Sequence, residues 1–141
     1  MPTKTNLMFI TYPQPNGQVA VVFPTGDVNN SLKDIPFGVP WKIVNALNID
    51  NEFFNAYEFD IQTGSKVNIE KAKAIQLDKF RAARAPKLTK LDIDFMKAVE
   101  VGDEAKRDEI IAEKQALRNV TLTPLPNDLA GIKATWPSIL N

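Results

Sequence analysis

The sequence predicts an α+β fold: a small N-terminal antiparallel β-sheet, then an antiparallel helical hairpin, then one short C-terminal helix. Three observations predict it. An Asn16-Gly17 pair separates two runs rich in β-branched and aromatic residues. A long stretch after Asn68 is poor in glycine and carries apolar residues three and four positions apart. Gly102 then separates this stretch from a second helical segment.

The β-sheet is predicted within the first sixty residues. Residues 7–12 and 18–23 should form a hairpin, because Asn-Gly supplies the positive φ values of a tight turn. A hairpin alone is marginal in water and needs further strands. The segment "VPWKIVN" is predicted as a third strand and residues 57–61 as a fourth, since both contain β-branched or aromatic side chains. Short helical turns are predicted at residues 31–35 and 51–55.

The helical hairpin is predicted between Asn68 and Asn119. Asn68 is a favourable N-cap residue, and Gly102 ends the first helix before the second begins at Asp103. A break of two or three residues forces the two helices antiparallel. The seam residues of the first helix recur three or four positions apart, as in a helix that packs on another helix. They are Leu77, Phe80, Arg84, Leu88, Leu91 and Phe95.

Pro86 lies inside the first helical stretch. Its missing N–H cannot bond the carbonyl of Ala82. The helix therefore either kinks at this point or stops near Arg84 and restarts with Pro86 in its first turn. Both outcomes would change the direction of the arginine side chains.

The division into domains follows from these elements. Asn127 is predicted to cap one short helix in the proline-punctuated tail. We divide the chain into a β lobe at 1–62, a helical hairpin at 63–120 and the tail at 121–141. The length of 141 residues and the hydrophobic content of 44% suit one compact domain or two small lobes that need each other.

The composition removes most catalytic chemistry. The chain has no cysteine and no histidine, which excludes disulfides, thiolate nucleophiles, sulfur-bound zinc and the usual general base. We therefore expect no enzyme activity, no cofactor and no metal. An enzyme that uses carboxylates or Tyr57 stays open as an alternative.

The known catalytic and ligand-binding motifs supply no candidate site. Asp92 and Asp94 cannot form a catalytic dyad, because side chains two residues apart on a helix diverge by about 200°. The segment "PTGDVNNS" lacks the bidentate glutamate that a calcium loop requires. Phosphate-loop and dinucleotide fingerprints are absent, since the six glycines are scattered singly.

The charges are segregated along the chain, although they sum to zero. The net charge is −3 for residues 1–60, +6 for residues 66–90 and −5 for residues 91–113. Ends of opposite sign suit ordered docking on a protein partner. Nucleic acid is not expected as a partner, because Phe80 is the only aromatic residue of the basic stretch and acidic residues follow at once.

No targeting segment is expected. No apolar run approaches the roughly 20 residues of a membrane span. Residues 1–6 also lack the apolar core of a signal peptide. We expect a soluble protein made in a cytoplasm, with no membrane partner.

Arginines are the remaining candidates for binding. If the hairpin turns near Gly102, residue numbers that sum to about 202 face each other, which places Arg84 opposite Arg118. Two guanidiniums in an apolar seam need an acceptor, so we predict that they bind an acidic group of another chain or of the N-terminal lobe. The alternative is that Arg81 pairs with Asp78 while the other two arginines extend into solvent. Trp41 and Trp136 are interpreted as core anchors, although Trp136 could equally dock on a neighbour.

A family resemblance extends over residues 19–120. The segments "VVFPTG", "IPFGVPWKIVNALNIDNEFFNAYEFD", "VNIEKAKAIQLDKFRAARAPKLTKLDIDFMKA" and "KQALRNVT" resemble small proteins of tailed bacteriophages and prophages. The helical part is similar to phage tail assembly chaperone proteins. This chain departs from their pattern at Phe95, where tryptophan is frequent, and at Asn119, where aspartate is frequent. The helical signature consists of Arg81, Arg84, Leu88, Leu91, Asp92, Leu117 and Arg118.

The resemblance implies a protein without catalysis that binds other tail or tail-fibre proteins. It would act in the host cytoplasm during assembly, or remain in the virion tail as a structural adaptor. Self-association is also expected, with a trimer as the model, because the long seam exceeds what one short second helix covers. The protein-binding residues expected from the seam and the resemblance are Arg81, Arg84, Asp92, Arg118 and Trp136.

Overall fold

The computed structural model describes residues 8–141 and confirms the α+β prediction. The chain divides into two compact units, Met1–Ala72 and Lys73–Asn141. The first unit holds the strands, and the second holds most of the helical hairpin and the short C-terminal helix. Residue 7, which was predicted to begin the first strand, lies outside the described residues.

The first sheet has three antiparallel strands in the order β2-β1-β3. They are β1 (Phe9–Pro13), β2 (Val19–Val22) and β3 (Lys42–Val44). The turn that joins β1 to β2 contains the predicted Asn-Gly pair, but Gly17 adopts a positive φ, 85°, while Asn16 does not. Residues 42–44 pair with the other edge of β1. The predicted hairpin and third strand are therefore confirmed.

A separate two-stranded sheet follows. The predicted fourth strand is β4 (Tyr57–Asp60), and it pairs with β5 (Gly64–Val67), which the sequence analysis did not predict. The predicted lobe boundary after residue 62 falls in the turn between these two strands. Because β5 is hydrogen-bonded to β4, the β lobe extends at least to residue 67.

The first unit also contains two 3₁₀ helices, Val28–Asp34 and Asn51–Ala56, and the second of them contributes Phe53 and Ala56 to the core. These helices lie at the predicted helical turns. Tyr57 is buried, and its hydroxyl accepts a hydrogen bond from the backbone N–H of Asp50 at 3.1 Å. The other buried apolar side chains of this unit are Ile10, Val19, Phe53, Ala56 and Ala72.

Asn68 caps the first long helix, α1 (Ile69–Val101), as predicted. Its side-chain oxygen accepts from the N–H of Lys71 at 3.2 Å, and its amide donates to Glu58 at 2.9 Å. Lys71 also forms an ion pair with Glu58 at 2.9 Å. Hydrogen bonds from Lys71 and Asn68 favour the charged carboxylate, so the pKa of Glu58 is lowered.

The helix α1 runs without interruption through Pro86. The predicted alternative of a stop near Arg84 followed by a restart is therefore wrong. Ala82 and Pro86 are both exposed. Water can therefore reach the carbonyl that loses its N–H donor, which lowers the cost of a proline inside a helix.

The second helix, α2 (Glu104–Arg118), completes the hairpin after a turn at Gly102. Asp103 caps α2, because its carboxylate accepts from the N–H of Lys106 at 3.0 Å. The predicted antiparallel hairpin is confirmed. None of the helices in the described part of the chain is long and apolar enough to cross a membrane.

The C-terminal segment folds back onto the hairpin. It consists of a 3₁₀ turn (Asn119–Leu122), the short helix α3 (Leu129–Ala134) and a last turn (Ser138–Leu140). The cap of α3 is Asp128, whose carboxylate accepts from the N–H of Gly131 at 3.0 Å. The predicted cap, Asn127, is one residue too early and accepts from Lys73 at 2.8 Å.

One apolar core fills the second unit. Leu140 and Val120 join the buried side chains of α1 and α2, and Leu125 and Ile139 pack against the same cluster. The C-terminal segment therefore covers the part of the α1 seam that α2 does not reach. The expectation of self-association through an uncovered seam thus loses its structural reason. The buried side chains that α1 and α2 contribute to this cluster are Phe80, Leu91, Ala98, Ile110 and Leu117.

Candidate protein-binding site

Arg84 and the end of α2 lie side by side, as the hairpin geometry predicts. The Nη1 of Arg84 donates to the backbone carbonyl of Arg118 at 2.9 Å and approaches that of Leu117 at 3.4 Å. These carbonyls belong to the last turn of α2, where the Leu117 carbonyl also accepts from the N–H of Asn119 and the Arg118 carbonyl from the hydroxyl of Thr121. A guanidinium at this position also complements the negative end of the helix dipole. The acceptor for Arg84 is therefore the backbone of the hairpin itself.

Arg118 contributes its backbone carbonyl, and not its side chain, to the contact with Arg84. Its carbonyl binds Arg84, while its side chain is exposed. Within residues 8–141, no hydrogen bond or ion pair of the Arg118 guanidinium is found. Of the two facing arginines, only Arg118 keeps its charge available to a second molecule.

Arg81 follows the alternative that the sequence analysis left open. Its guanidinium pairs with Asp78 at 2.6 Å, one helical turn earlier on α1. Both side chains are exposed, so this pair contributes little to stability. Arg81 still places positive charge on the surface, because an exposed pair exchanges partners at low cost.

Asp92 connects the two helices of the hairpin. It forms an ion pair with Lys114 of α2 at 2.5 Å, and the Lys114 ammonium lies 5.6 Å from the centre of the Phe95 ring. Asp94 instead pairs with Lys90 at 3.7 Å. The two carboxylates therefore diverge, as expected, and Asp92 links α1 to α2.

The two tryptophans have different roles. Trp136 packs edge-on against the buried Phe80, with ring centres 5.4 Å apart, and 41% of it remains exposed. It is thus both an anchor of the C-terminal segment and a surface residue. Trp41 is 43% exposed, so its prediction as a core anchor is wrong.

Sequence reasoning missed the outward face of α1, which we define as Ala82, Pro86, Thr89, Ile93 and Met96. All five residues are exposed, and they recur four and three positions apart on the side of α1 that faces away from the seam. Ile93 is 51% exposed and Met96 is 64% exposed. In the sequence these residues form a second, weaker helical repeat, and the stronger repeat of the seam residues obscured it.

Among residues 8–141, no group of three acidic residues is placed to hold a metal ion. The hydroxyl of Tyr57, which the enzyme alternative invoked, accepts a backbone hydrogen bond in the core of the first unit. The exposed features of the hairpin form one candidate functional surface.

Comparisons with known proteins identify no relative. No protein-family model, no curated protein and no solved structure matches the chain. A function must therefore be argued from the residues and from the geometry of the hairpin.

Replacing Arg84 with methionine tests its role in closing the hairpin. Methionine keeps the apolar stem and removes the hydrogen bonds to the end of α2. We expect the free energy of unfolding to fall by about 1–2 kcal/mol, as for a partly buried hydrogen bond to a charged group. Urea unfolding followed by circular dichroism measures this change.

Arg81→Met is the matched control for Arg84→Met. It removes the same group from an exposed pair within one helix, so we expect a loss below about 0.5 kcal/mol. Equal losses for the two variants would contradict the assignment of Arg84 to the hairpin rather than to the surface.

Proposed function

We propose that the protein is a non-enzymatic tail-morphogenesis protein of a tailed bacteriophage. It binds tail or tail-fibre subunits in the host cytoplasm and assists their assembly. The resemblance of residues 19–120 to tail assembly chaperones supports this role. The observation that carries it furthest is the outward face of α1.

The outward face has the composition of a docking surface. Ile93 and Met96 expose large alkyl side chains near the small side chain of Thr89. Large side chains beside small ones form the knobs and holes into which another helix packs. Lys90 and Lys97 border this strip on one flank of α1, so polar side chains lie beside an apolar centre, as is usual for protein interfaces.

The partner that suits this face is an apolar segment of a tail or tail-fibre subunit. Incompletely folded or assembled subunits expose apolar surface that aggregates unless it is covered. A rigid helix lying along that segment would cover it at a low cost in conformational entropy. The hairpin provides this rigidity, because its other face is locked to α2 by the seam and by the Asp92–Lys114 pair.

Co-expression with the tail-fibre subunit of the same phage tests the proposal. We expect the two proteins to purify together, and we expect Ile93→Lys with Met96→Lys to weaken the complex at least tenfold, since interface centres do not tolerate charge. Isothermal titration with purified proteins measures the affinity. Val101→Lys is the control, because Val101 is 79% exposed and lies at the end of α1, outside the outward face.

Two outcomes contradict the proposal. One is the absence of any complex with tail or tail-fibre subunits. The other is equal weakening by the control and the double variant. The copy number in purified virions then distinguishes the two forms of the role, because a chaperone is absent from the particle and an adaptor is present in fixed number.

A further inference from the structure

We propose that the protein forms a two-fold symmetric dimer in which α2 of one copy lies antiparallel against α2 of a second copy. The contact surface is the α2 stripe, which we define as Glu104, Ile111 and Arg118. This inference goes beyond tail-protein binding, and it uses a surface other than the outward face of α1.

The α2 stripe follows from the helical period. Its three residues are seven positions apart, which is about 20° short of two full turns, so they form one line along the helix. Successive members are separated by about 10.5 Å along the axis. All three are exposed, and Ile111 exposes 50% of its surface. The line therefore presents acidic, apolar and basic side chains in that order.

The charged ends of this line are available for binding. Among residues 8–141, neither the Glu104 carboxylate nor the Arg118 guanidinium takes part in an ion pair. Neighbouring charges of α2 are paired within the hairpin: Lys106 with Glu109 at 3.5 Å and Lys114 with Asp92 at 2.5 Å. The stripe thus carries one free charge of each sign, on either side of an exposed isoleucine.

Only an antiparallel copy complements this order of charges. With the two-fold axis at Ile111, each Glu104 meets Arg118 of the second copy, and the two isoleucines meet on the axis. A parallel arrangement, two-fold or three-fold, would place Glu104 on Glu104 and Arg118 on Arg118, which is repulsive. In an antiparallel pair the contact between Glu104 and Arg118 occurs twice by symmetry. The dimer is closed, so no further copy can add through the same surface. The predicted trimer is not compatible with contact through this surface.

The flank of the hairpin that carries the stripe is open within the second unit. Lys87, Glu113 and Ile139 line a groove of about 380 Å³ on the opposite flank, where the C-terminal segment lies. Helical periodicity places Val99 on the same flank of α1 as the stripe, and its side chain is 52% exposed. The apolar area available to a second copy therefore extends beyond Ile111.

Charge reversal of the full-length protein tests the dimer. Sedimentation equilibrium at low salt should show a reversible dimer that weakens as salt is added, because the pairing charges are exposed. Glu104→Arg and Arg118→Glu should each raise the dissociation constant at least tenfold, since each replaces two attractions by two repulsions. The double variant Glu104→Arg with Arg118→Glu should restore the dimer, because it exchanges the two charges.

The double variant also separates dimer formation from folding. Both reversals oppose the dipole of α2, so loss through unfolding would be greatest in the double variant, whereas dimer contact is restored there. Glu109→Arg is the control: it makes the same charge change on another side of α2, and we expect no change in dissociation constant. A monomer at every concentration, a trimer, or no recovery in the double variant would overturn the proposal. Binding to tail-fibre subunits through the outward face does not depend on this result.

Discussion

Replacing Phe80 with alanine should lower the free energy of unfolding of the helical unit by about 3–5 kcal/mol, which is the usual cost of removing a buried aromatic side chain. Phe80 has no exposed surface and belongs to the core shared by α1 and α2. Trp136 packs against its ring at a centre-to-centre distance of 5.4 Å. The variant therefore loses both the transfer free energy of the ring and the contact that anchors the C-terminal segment.

The loss is measurable by urea unfolding followed by far-ultraviolet circular dichroism, which reports mainly on the helices. Tryptophan fluorescence supplies a second probe, because Trp136 should become more exposed when Phe80 is removed. Phe37→Ala is the matched control: Phe37 has a relative exposure of 105%, and we expect a change within about 0.5 kcal/mol. A loss below about 1 kcal/mol for Phe80→Ala would mean that the core cluster is not packed as described.

The hairpin could be predicted because two independent signals agree. The seam of α1 repeats at three and four residues, and a single glycine marks the turn. Together these determine which positions of the two helices face each other, so the sequence alone predicts Arg84 beside Arg118. The group that accepts the hydrogen bonds of Arg84 could not be predicted. The choice between a carboxylate and a backbone carbonyl depends on where α2 ends, and a sequence pattern gives helix ends only within one or two residues.

The second strand of the small sheet could not be predicted for a local reason. The strand β5 reads Gly-Ser-Lys-Val, of which only valine has a clear preference for strands. Its conformation is determined by pairing with β4 and by the turn before it. In that turn the Asp60 carboxylate accepts from the N–H groups of Gln62 and Thr63 at 2.8 and 3.1 Å. Tertiary pairing overrides weak local preference here, which is the usual origin of such errors.

The candidate binding residues also show what the sequence could and could not predict. Arg84 is predicted as a binding residue from its place in the seam, and Arg81 and Asp92 from the family resemblance. The structure instead pairs all three within the second unit, with Asp78, the end of α2 and Lys114. Exposed apolar residues such as Ile93 and Met96 give no comparable signal in sequence, since single exposed hydrophobic residues are common on protein surfaces. Helix geometry, and not the sequence pattern, shows that they lie on one strip of α1.

Replacing Gly64 with alanine should lower the free energy of unfolding of the first unit by about 2–4 kcal/mol, combining left-handed backbone strain with overpacking. Gly64 opens β5 with a φ of 90°, a conformation that an L side chain rarely adopts. A Cβ placed there would lie 2.7 Å from the Cγ1 of Val44 and 3.1 Å from the Oγ1 of Thr11. Both contacts are too close, and Thr11 is fully buried, so the neighbouring strands would have to move.

Gly17→Ala separates the two contributions to that loss. Gly17 has nearly the same φ, 85°, but a Cβ there would meet no atom within 4 Å. We therefore expect Gly17→Ala to cost only the backbone strain, about 1–2 kcal/mol, and the difference between the variants measures the clash. Combining Gly64→Ala with Val44→Ala should cost less than the sum of the two single changes, because truncating Val44 removes its Cγ1. Additive losses, or equal losses at Gly17 and Gly64, would show that β3 and β5 do not approach each other at this point and that the strain of the turn alone requires glycine.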